Sequence, residues 1–432
     1  MDKLPLHHRF LKFKKVIRLP EFGYIGLTED EIKVIDTFEF QRLRGIKQSP
    51  GGYMVYPGMS HTRFEHSLGV MHLAGEAATN ILLNHGRDNR NEGQDIVQRV
   101  RLAGLLHDIG HGPLSHTYEL AHEYSGITWD HEKAGHEIIK QKLKDALERY
   151  SPQDIIKLLD TNQAINNDER FMRDIIIHPV YNVDRLDYLI LDSYRAGVIE
   201  YGFIDVSRIL QNLYLDDENN IVIDVKAKDA CVRMLEAYNH MYRSVYLHKK
   251  AVASDIQIAY TLKIAWENNE LHDIRKPETD TLLQMNDYVL MYRLLNCGSD
   301  QVKNYTNRYL RRDILKLVDE ISVESDLHSI PIRDMSLSQI EERIKDEARL
   351  KDDALVILHT FKQKTPAPFP SDPEIWRNLQ FYDHNKKQRV SFQSSEINYL
   401  TAILKAAYNI RLYTFKEHVN AVRDAWKKIR KG

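Results

Sequence analysis

The chain has 432 residues, 43 % hydrophobic and 28 % charged, which supplies a large core and excludes wholesale disorder. Its 60 Lys and Arg against 62 Asp and Glu leave a net charge of −2, so no global basic excess marks a binder of nucleic acid or anionic membrane. Two cysteines, Cys231 and Cys297, exclude a disulfide scaffold and a cysteine-rich zinc fold, and suit a reducing cytoplasm.

The N-terminal MDKLPLHHRFLKFKK lacks an apolar signal core, and no apolar run nears the ~18 residues of a membrane span. A cytoplasmic protein without a membrane partner is therefore expected. The first strong period starts at Thr62. Phe64, Leu68, Met71, Ala74, Ala78 and Ile81 recur at three- and four-residue steps and predict a helix, with Ser60 as its N-cap. A polar loop over 85–95 leads to IVQRVRLAGLLHDIG, a helix ending near Gly110. Further helices are predicted over 131–150, 152–160, 183–196 and 226–267. Strand signal is thin: 210–225 reads as a hairpin around Asp-Glu-Asn-Asn. Residues 366–373, PAPFPSDP, hold four of the 13 prolines and must be extended. They set off a last region in which 394–419 reads as helical. The expected architecture is mostly α: a large helical unit over 1–275 with one small β-hairpin, then a mixed α/β region over 276–432.

Histidine is the unusual count, at 20 residues, and it clusters between 61 and 136. Four residues stand out there and downstream: His66, the adjacent pair His107-Asp108, and Asp184. A lone histidine on a helix is more often a surface or satisfied core residue. Here the context is anomalous. LAGLLHDIGHGPLSH sets a histidine and an aspartate on a leucine-rich helix, and Asp184, Arg185, Asp187 and Asp192 crowd one apolar helix. Buried groups of this kind need partners or a metal. Imidazole with carboxylate suits a divalent ion such as Mn, Fe, Zn, Mg or Ni, a choice the sequence leaves open. Ligands arriving from several helices are how bundles build metal sites.

The order H…HD…D resembles the HD-domain metal-dependent phosphohydrolases. FQRLRGIKQSPGGYMVYPGMSHTRFEHSLGV, AGLLHDIGHGPLSH, WDHE and VDRLDYL are more closely similar to the deoxynucleoside triphosphate triphosphohydrolases among them, in particular the branch with an added SAM domain, here without the SAM part. The similarity runs from Lys15 to Lys316 and fades beyond Glu320. It implies an HD-domain helical bundle. It implies His66, His107, Asp108 and Asp184 as metal ligands and Arg63 on substrate phosphate. His111 and His131 fall on phosphate-facing or active-site histidines, and His116 on the general acid. Glu119 stands where the family pairs that acid with an aspartate. Gln48, Tyr188, Asp192 and Tyr246 fall on positions that hold the sugar or triphosphate. Arg185 replaces a family lysine. A triphosphate-gripping arginine is replaced by Tyr238, with Arg243 close by in sequence to compensate. The implied reaction yields deoxynucleoside and inorganic triphosphate.

The resemblance also implies an activating nucleotide at a subunit interface, bound by Lys15, Val16, Asp36, Gln41, Arg44, Arg312 and Lys316, and a homo-oligomer of two or four chains. The same charges on an amphipathic helix could simply be solvated. Two other readings compete: an HD-type phosphodiesterase, nuclease or phosphatase acting on another nucleotide or on single-stranded nucleic acid, and a nucleotide-sensing module without catalysis. The basic clusters KFKK, RVR and WKKIRKG read as solvated faces, which disfavours nucleic acid as the partner.

Overall fold

A computed structural model describes residues 9–87, 89–178, 180–322, 335–351, 353–360, 380–383, 386–404 and 409–431. The described chain opens on an antiparallel hairpin of β1 (Lys15–Leu19) and β2 (Gly23–Leu27), in register from Lys15↔Leu27 to Leu19↔Gly23. The sequence reading places no strand here, although Pro20 and Gly23, at φ 72°, mark the turn. Helix α1 (Glu29–Ile35) follows, closed by a capping box in which Thr28 and Glu31 bond each other's backbone.

Helix α2 (Arg63–Asn84) starts two residues later than a Ser60 cap would place it, with Thr62 at its N-cap. The delay has a cause. Lys47 pairs with Thr62 in a β-bridge, Gln48 N–H donates to His61 C=O at 3.1 Å, and Arg63 N–H donates to Ile46 C=O at 2.9 Å. The chain stays extended until it leaves that pairing. Helix α3 (Arg90–Leu106) packs along α2, and the expected 85–95 loop is shorter because the Asn89 side chain accepts from the N–H groups of Asn91 and Glu92. A Cβ on Gly104 would stand 3.2 Å from both Ala74 Cβ and Val70 C=O, so glycine allows this close approach. Regular helix ends at Leu106 rather than near Gly110. His107–Gly110 form a turn, and that turn carries the His-Asp pair.

Helices α4 (His116–Tyr124) and α5 (His131–Lys142) come next. The predicted 131–150 helix breaks at Leu143, after which Lys144–Leu147 form a separate turn. Pro152–Leu159 is helical as expected. Helix α6 (Val183–Ala196) has its predicted bounds, set by an Asn182 side-chain cap and by Gly197 at φ 76°. The hairpin is also present, as β3 (Leu213–Leu215) against β4 (Ile221–Asp224). The single helix expected over 226–267 is two: α7 (Lys228–Met241) and α8 (Lys249–Glu267), separated by a π turn at Tyr242–Tyr246.

Beyond α9 (Asp287–Leu295) and α10 (Asp300–Leu310) the structure turns mixed. Strands β5 (Lys316–Ser322), β6 (Val356–Thr360) and β9 (Asn409–Thr414) form an antiparallel sheet in the order β5-β9-β6. Helices α11 (Leu337–Ala348) and α13 (Val419–Lys431) pack on it through Ile344, Val422 and Trp426. Strands β7 (Gln380–Asp383) and β8 (Gln388–Ser391) extend the β3–β4 hairpin into a four-stranded sheet. The 394–419 segment is only partly helical: α12 (Ser394–Leu404) gives way to β9, the central strand of its sheet. The 366–373 expectation lies outside the described residues. The protein is mostly α with some sheet in its C-terminal region. No described helix is long and apolar enough to cross a membrane.

Candidate metal centre

Three elements bring four candidate ligand residues together. α2 contributes His66, the turn after α3 contributes His107 and Asp108, and the first turn of α6 contributes Asp184. His66 Nε2 lies 3.0 Å from Asp184 Oδ1 and 3.5 Å from Asp108 Oδ2. His107 Nε2 lies 3.4 Å from Asp108 Oδ2 and 3.7 Å from Asp184 Oδ1. Both Nε2 atoms are buried and make no hydrogen bond among the described residues. The opposite ring nitrogens are engaged: His66 Nδ1 lies 2.6 Å from Asp187 Oδ2, and His107 Nδ1 donates to Gly104 C=O at 2.8 Å. Those partners fix the tautomer that leaves Nε2 free to ligate. Burial pushes the His66 imidazole down, but the carboxylates of Asp184, Asp187 and Asp108 around it outweigh burial and push it up to about 10. A centre this negative holds a cation at His66 even when the cation is a proton. The ligand atoms of His66, His107 and Asp108 lie close enough together to hold a divalent ion, with Asp184 beside both imidazoles, without choosing among Mn, Fe, Zn, Mg and Ni.

Asp187 is a neighbour of this centre that the sequence reading marked as anomalous on its helix but gave no role. Its only signal was its place three residues after Asp184 on an apolar helix. A Cβ on Gly69 would collide with Asp187 Oδ1, so the glycine makes its seat. Gly69→Ala is therefore expected to displace Asp187 and weaken metal affinity by ~10–100-fold, read by titrating the apoprotein with Mn or Zn.

Arg63 stands one turn before His66. Its Nη1 donates to Asp108 Oδ2 at 2.6 Å and its Nε to Ser115 Oγ at 3.0 Å. The guanidinium is thus held by the candidate ligand Asp108 and by Ser115. Burial pushes the Asp108 carboxyl up, but the charge of Arg63 and the neighbouring histidines hold it well below its usual range.

A histidine trio adjoins the centre. The His111 and His131 rings stack at 3.9 Å, and His111 Nε2 lies 3.2 Å from Asp108 Oδ1. Glu119 bridges the other two, with Oε2 2.7 Å from His116 Nδ1 and Oε1 2.6 Å from His131 Nδ1. Burial, Arg63 and His131 push His111 well below the ordinary imidazole value, which leaves it neutral. Burial also pushes His131 down, but its bond to Glu119 outweighs that and holds it above the ordinary value. His116 is exposed, with Nε2 facing away from Glu119.

The expected sugar pocket is assembled only in part. Asp184, Tyr188 and Asp192 recur every four residues on one face of α6. Asp192 Oδ2 accepts from Tyr246 Oη at 2.6 Å, and Asp192 Oδ1 lies 2.5 Å from His61 Nε2. His61 therefore belongs to this cluster, although its sequence context gave it only a structural role. Gln48 sits beside His61 through the β-bridge. Arg185 is buried, with Nη1 donating to Val180 C=O at 2.5 Å and its guanidinium 5.5 Å from the Tyr238 ring centroid. Arg243 is exposed on the π turn and, among the described residues, shares no hydrogen bond or ion pair with these groups.

The proposed activator positions divide into two sets. Gln41 Nε2 donates to Ile35 C=O at 2.8 Å and Gln41 Oε1 accepts from Arg44 Nε at 2.8 Å, with Lys15, Val16 and Asp36 exposed. Arg312 donates from Nε to Met54 C=O at 2.8 Å, and Lys316 opens β5. No hydrogen bond or ion pair joins the two sets among the described residues.

Two family models match the chain: HD domain over residues 63–189 and HD associated region over 204–430. The chain is 35 % identical over 288 residues to an uncharacterized protein of Methanocaldococcus jannaschii, covering 65 % of this chain and 57 % of that one. It is 29 % identical over 353 residues to the deoxynucleoside triphosphate triphosphohydrolase SAMHD1 of Homo sapiens, covering 72 % and 50 %. The Dictyostelium discoideum homolog of that enzyme is 27 % identical over 449 residues, covering 98 % and 81 %. The chain thus spans little more than half the length of the first two relatives. A crystal structure of a hypothetical protein from Aquifex aeolicus superposes with a TM-score of 0.72 at 25 % identity, covering 95 % of this chain and 99 % of that one.

Proposed function

The chain belongs to the family of HD-domain proteins with an HD associated region, and on that premise we propose that it hydrolyses deoxynucleoside triphosphates to deoxynucleoside and inorganic triphosphate. The observation that carries this reading is the convergence of His66, His107, Asp108 and Asp184 beside the His116–Glu119–His131 group. A divalent ion held by the four ligands would supply Lewis acidity toward phosphoryl oxygen and lower the pKa of water.

The side chains divide the remaining work. Arg63 faces the developing phosphoryl charge. His111, stacked on His131, lines the phosphate side without adding charge. Water attacks the α-phosphorus, the bond from phosphorus to O5′ breaks, and His116 gives its Nε2 proton to O5′. Glu119 fixes the His116 ring through Nδ1. The Asp192–Tyr246 pair, with His61 behind it, faces the sugar end. The exposed Lys15, Val16, Asp36 and Arg44 support a nucleotide activator bound between chains of a dimer or tetramer.

Glu119→Gln is expected to lower kcat by ~10²-fold. It also removes the group that holds His131 above its ordinary value. His131 then loses its proton at lower pH, so the alkaline limb of the rate profile moves to lower pH. The competing nuclease reading is tested by offering each dNTP and a single-stranded oligonucleotide with Mn or Mg. Triphosphate release with an intact oligonucleotide supports the proposal; a cut oligonucleotide with intact dNTPs overturns it.

A further inference from the structure

The turn that leads into α4 is bent against the preference of its residues. Leu114 and Ser115 stand at φ 61° and 53°, the left-handed region that favours glycine, and neither is glycine. Their position matters, because Ser115 receives Arg63 and His116 follows directly. Something must hold this backbone in place.

One holdfast comes from far along the chain. Asp287, the first residue of α9, is buried at 4 % exposure. Its Oδ1 accepts from Leu114 N–H at 2.7 Å, and its Oδ2 accepts from Lys47 N–H at 3.0 Å. Lys47 is the β-bridge partner of Thr62, which precedes Arg63, and it is followed by Gln48. A single carboxylate thus fastens two strips of backbone, and each carries residues of the site. Two residues earlier, Met285 C=O accepts from Arg42 Nη1 at 3.2 Å, and Arg42 Nη2 donates to Ile109 C=O at 2.8 Å. Ile109 adjoins Asp108. The 285–287 segment therefore reaches the histidine-bearing turn at both ends, through Arg42 at Ile109 and directly at Leu114.

Packing alone does not account for Asp287. A buried carboxylate is costly unless its acceptors are used. Here both oxygens are used, each on a different strip of backbone. An asparagine would accept from one N–H and turn its own donors on the other.

We propose that Asp287 is a positioning residue for the phosphohydrolase site. It fixes the left-handed turn at Leu114–Ser115 so that Arg63 and His116 meet the substrate together. This inference rests on the phosphohydrolase reading above.

The test compares unmodified protein with Asp287→Asn by residue-resolved hydrogen exchange and by steady-state dNTP hydrolysis. In the unmodified protein the Leu114 and Lys47 amides are expected to exchange at least ~100-fold slower than exposed loop amides. Asp287→Asn is expected to speed both by ~10-fold or more, with α2 and α3 unchanged. Its kcat is expected to fall ~10–100-fold with KM within ~3-fold, because the turn shifts while the binding groups remain. Wild-type kcat in the variant, or unchanged exchange at Leu114, overturns the proposal. Should the variant fail to fold, loop-like exchange at Leu114 in the unmodified protein overturns it equally. An unmodified protein inactive on every dNTP sinks the functional reading alone, and the exchange result then decides the anchoring.

Discussion

Asp184→Ala is expected to leave the protein folded, to abolish stoichiometric metal binding and to cut turnover by ~10³-fold or more, since a catalytic ion contributes several kcal/mol of transition-state stabilisation. Asp184 is the ligand to remove first. Its side chain is 36 % exposed, and its Oδ1 faces the two imidazoles. Burial pushes its carboxyl up, but His107 and His66 hold it below the usual range, so the charge is present at neutral pH. Removing it leaves Asp187 and Asp108 to face the buried His66 ring. Asp108→Ala tests the same centre less cleanly. Asp108 holds Arg63, whose side chain is 5 % exposed, and an unpaired buried guanidinium costs ~3–5 kcal/mol. Metal analysis together with thermal unfolding of the apoprotein separates the two effects. Full metal content and turnover in Asp184→Ala would refute its place in the ligand set.

The largest stability effect is expected at Arg101. This residue lies on α3 with no exposed surface, and it meets a fully buried Glu31. Arg101 Nε donates to Glu31 Oε1 at 2.6 Å, and Nη2 donates to Glu31 Oε2 and to Gly26 C=O, each at 2.8 Å. Glu31 also accepts from Thr28 N–H and from Gln98 Nε2. The network ties the β1–β2 hairpin and α1 to the α2–α3 pair. Arg101→Leu leaves an uncompensated buried carboxylate and is expected to cost ~3–5 kcal/mol in denaturant unfolding. The double variant with Glu31→Leu is expected to recover most of that loss, because no charge is then buried alone.

The same pair predicts a pH dependence. Burial pushes the Glu31 carboxyl up, but Arg101 and the hydrogen bonds outweigh burial and hold it below its ordinary 4.5. Its contribution is therefore fully present above about pH 4.5 and fades as pH falls through the lowered value. Without Arg101, burial pushes the Glu31 carboxyl up, so the stability gap between unmodified protein and Arg101→Leu should begin to narrow as pH falls through that raised value and keep narrowing down to the lowered value of the unmodified protein. A gap that is constant from pH 7 to pH 3 would contradict the assignment.

The candidate metal ligands were legible because they break a local rule. A His-Asp pair on a leucine-rich helix is a conflict that a soluble core does not tolerate without a reason. Helix α6 was legible to the residue because Asn182 and Gly197 mark its ends. The π turn was not, since YRSVY carries no glycine or proline, and its break is visible only in three dimensions. Strand β9 was read as helix for another reason. Leu412, Tyr413, Thr414 and Phe415 are consecutively buried, so the alternation that reveals a half-exposed strand is missing. His61, Asp187 and Asp287 act through partners 131, 121 and 173 residues away, a separation no local pattern encodes.

The most direct test of the proposed reaction follows the products of each dNTP, singly and in pairs, in oxygen-18 water with Mn or Mg. Attack at the α-phosphorus predicts deoxynucleoside and inorganic triphosphate in equal amounts, with the label in the triphosphate. Release of monophosphate with pyrophosphate, or label in the deoxynucleoside, would contradict it.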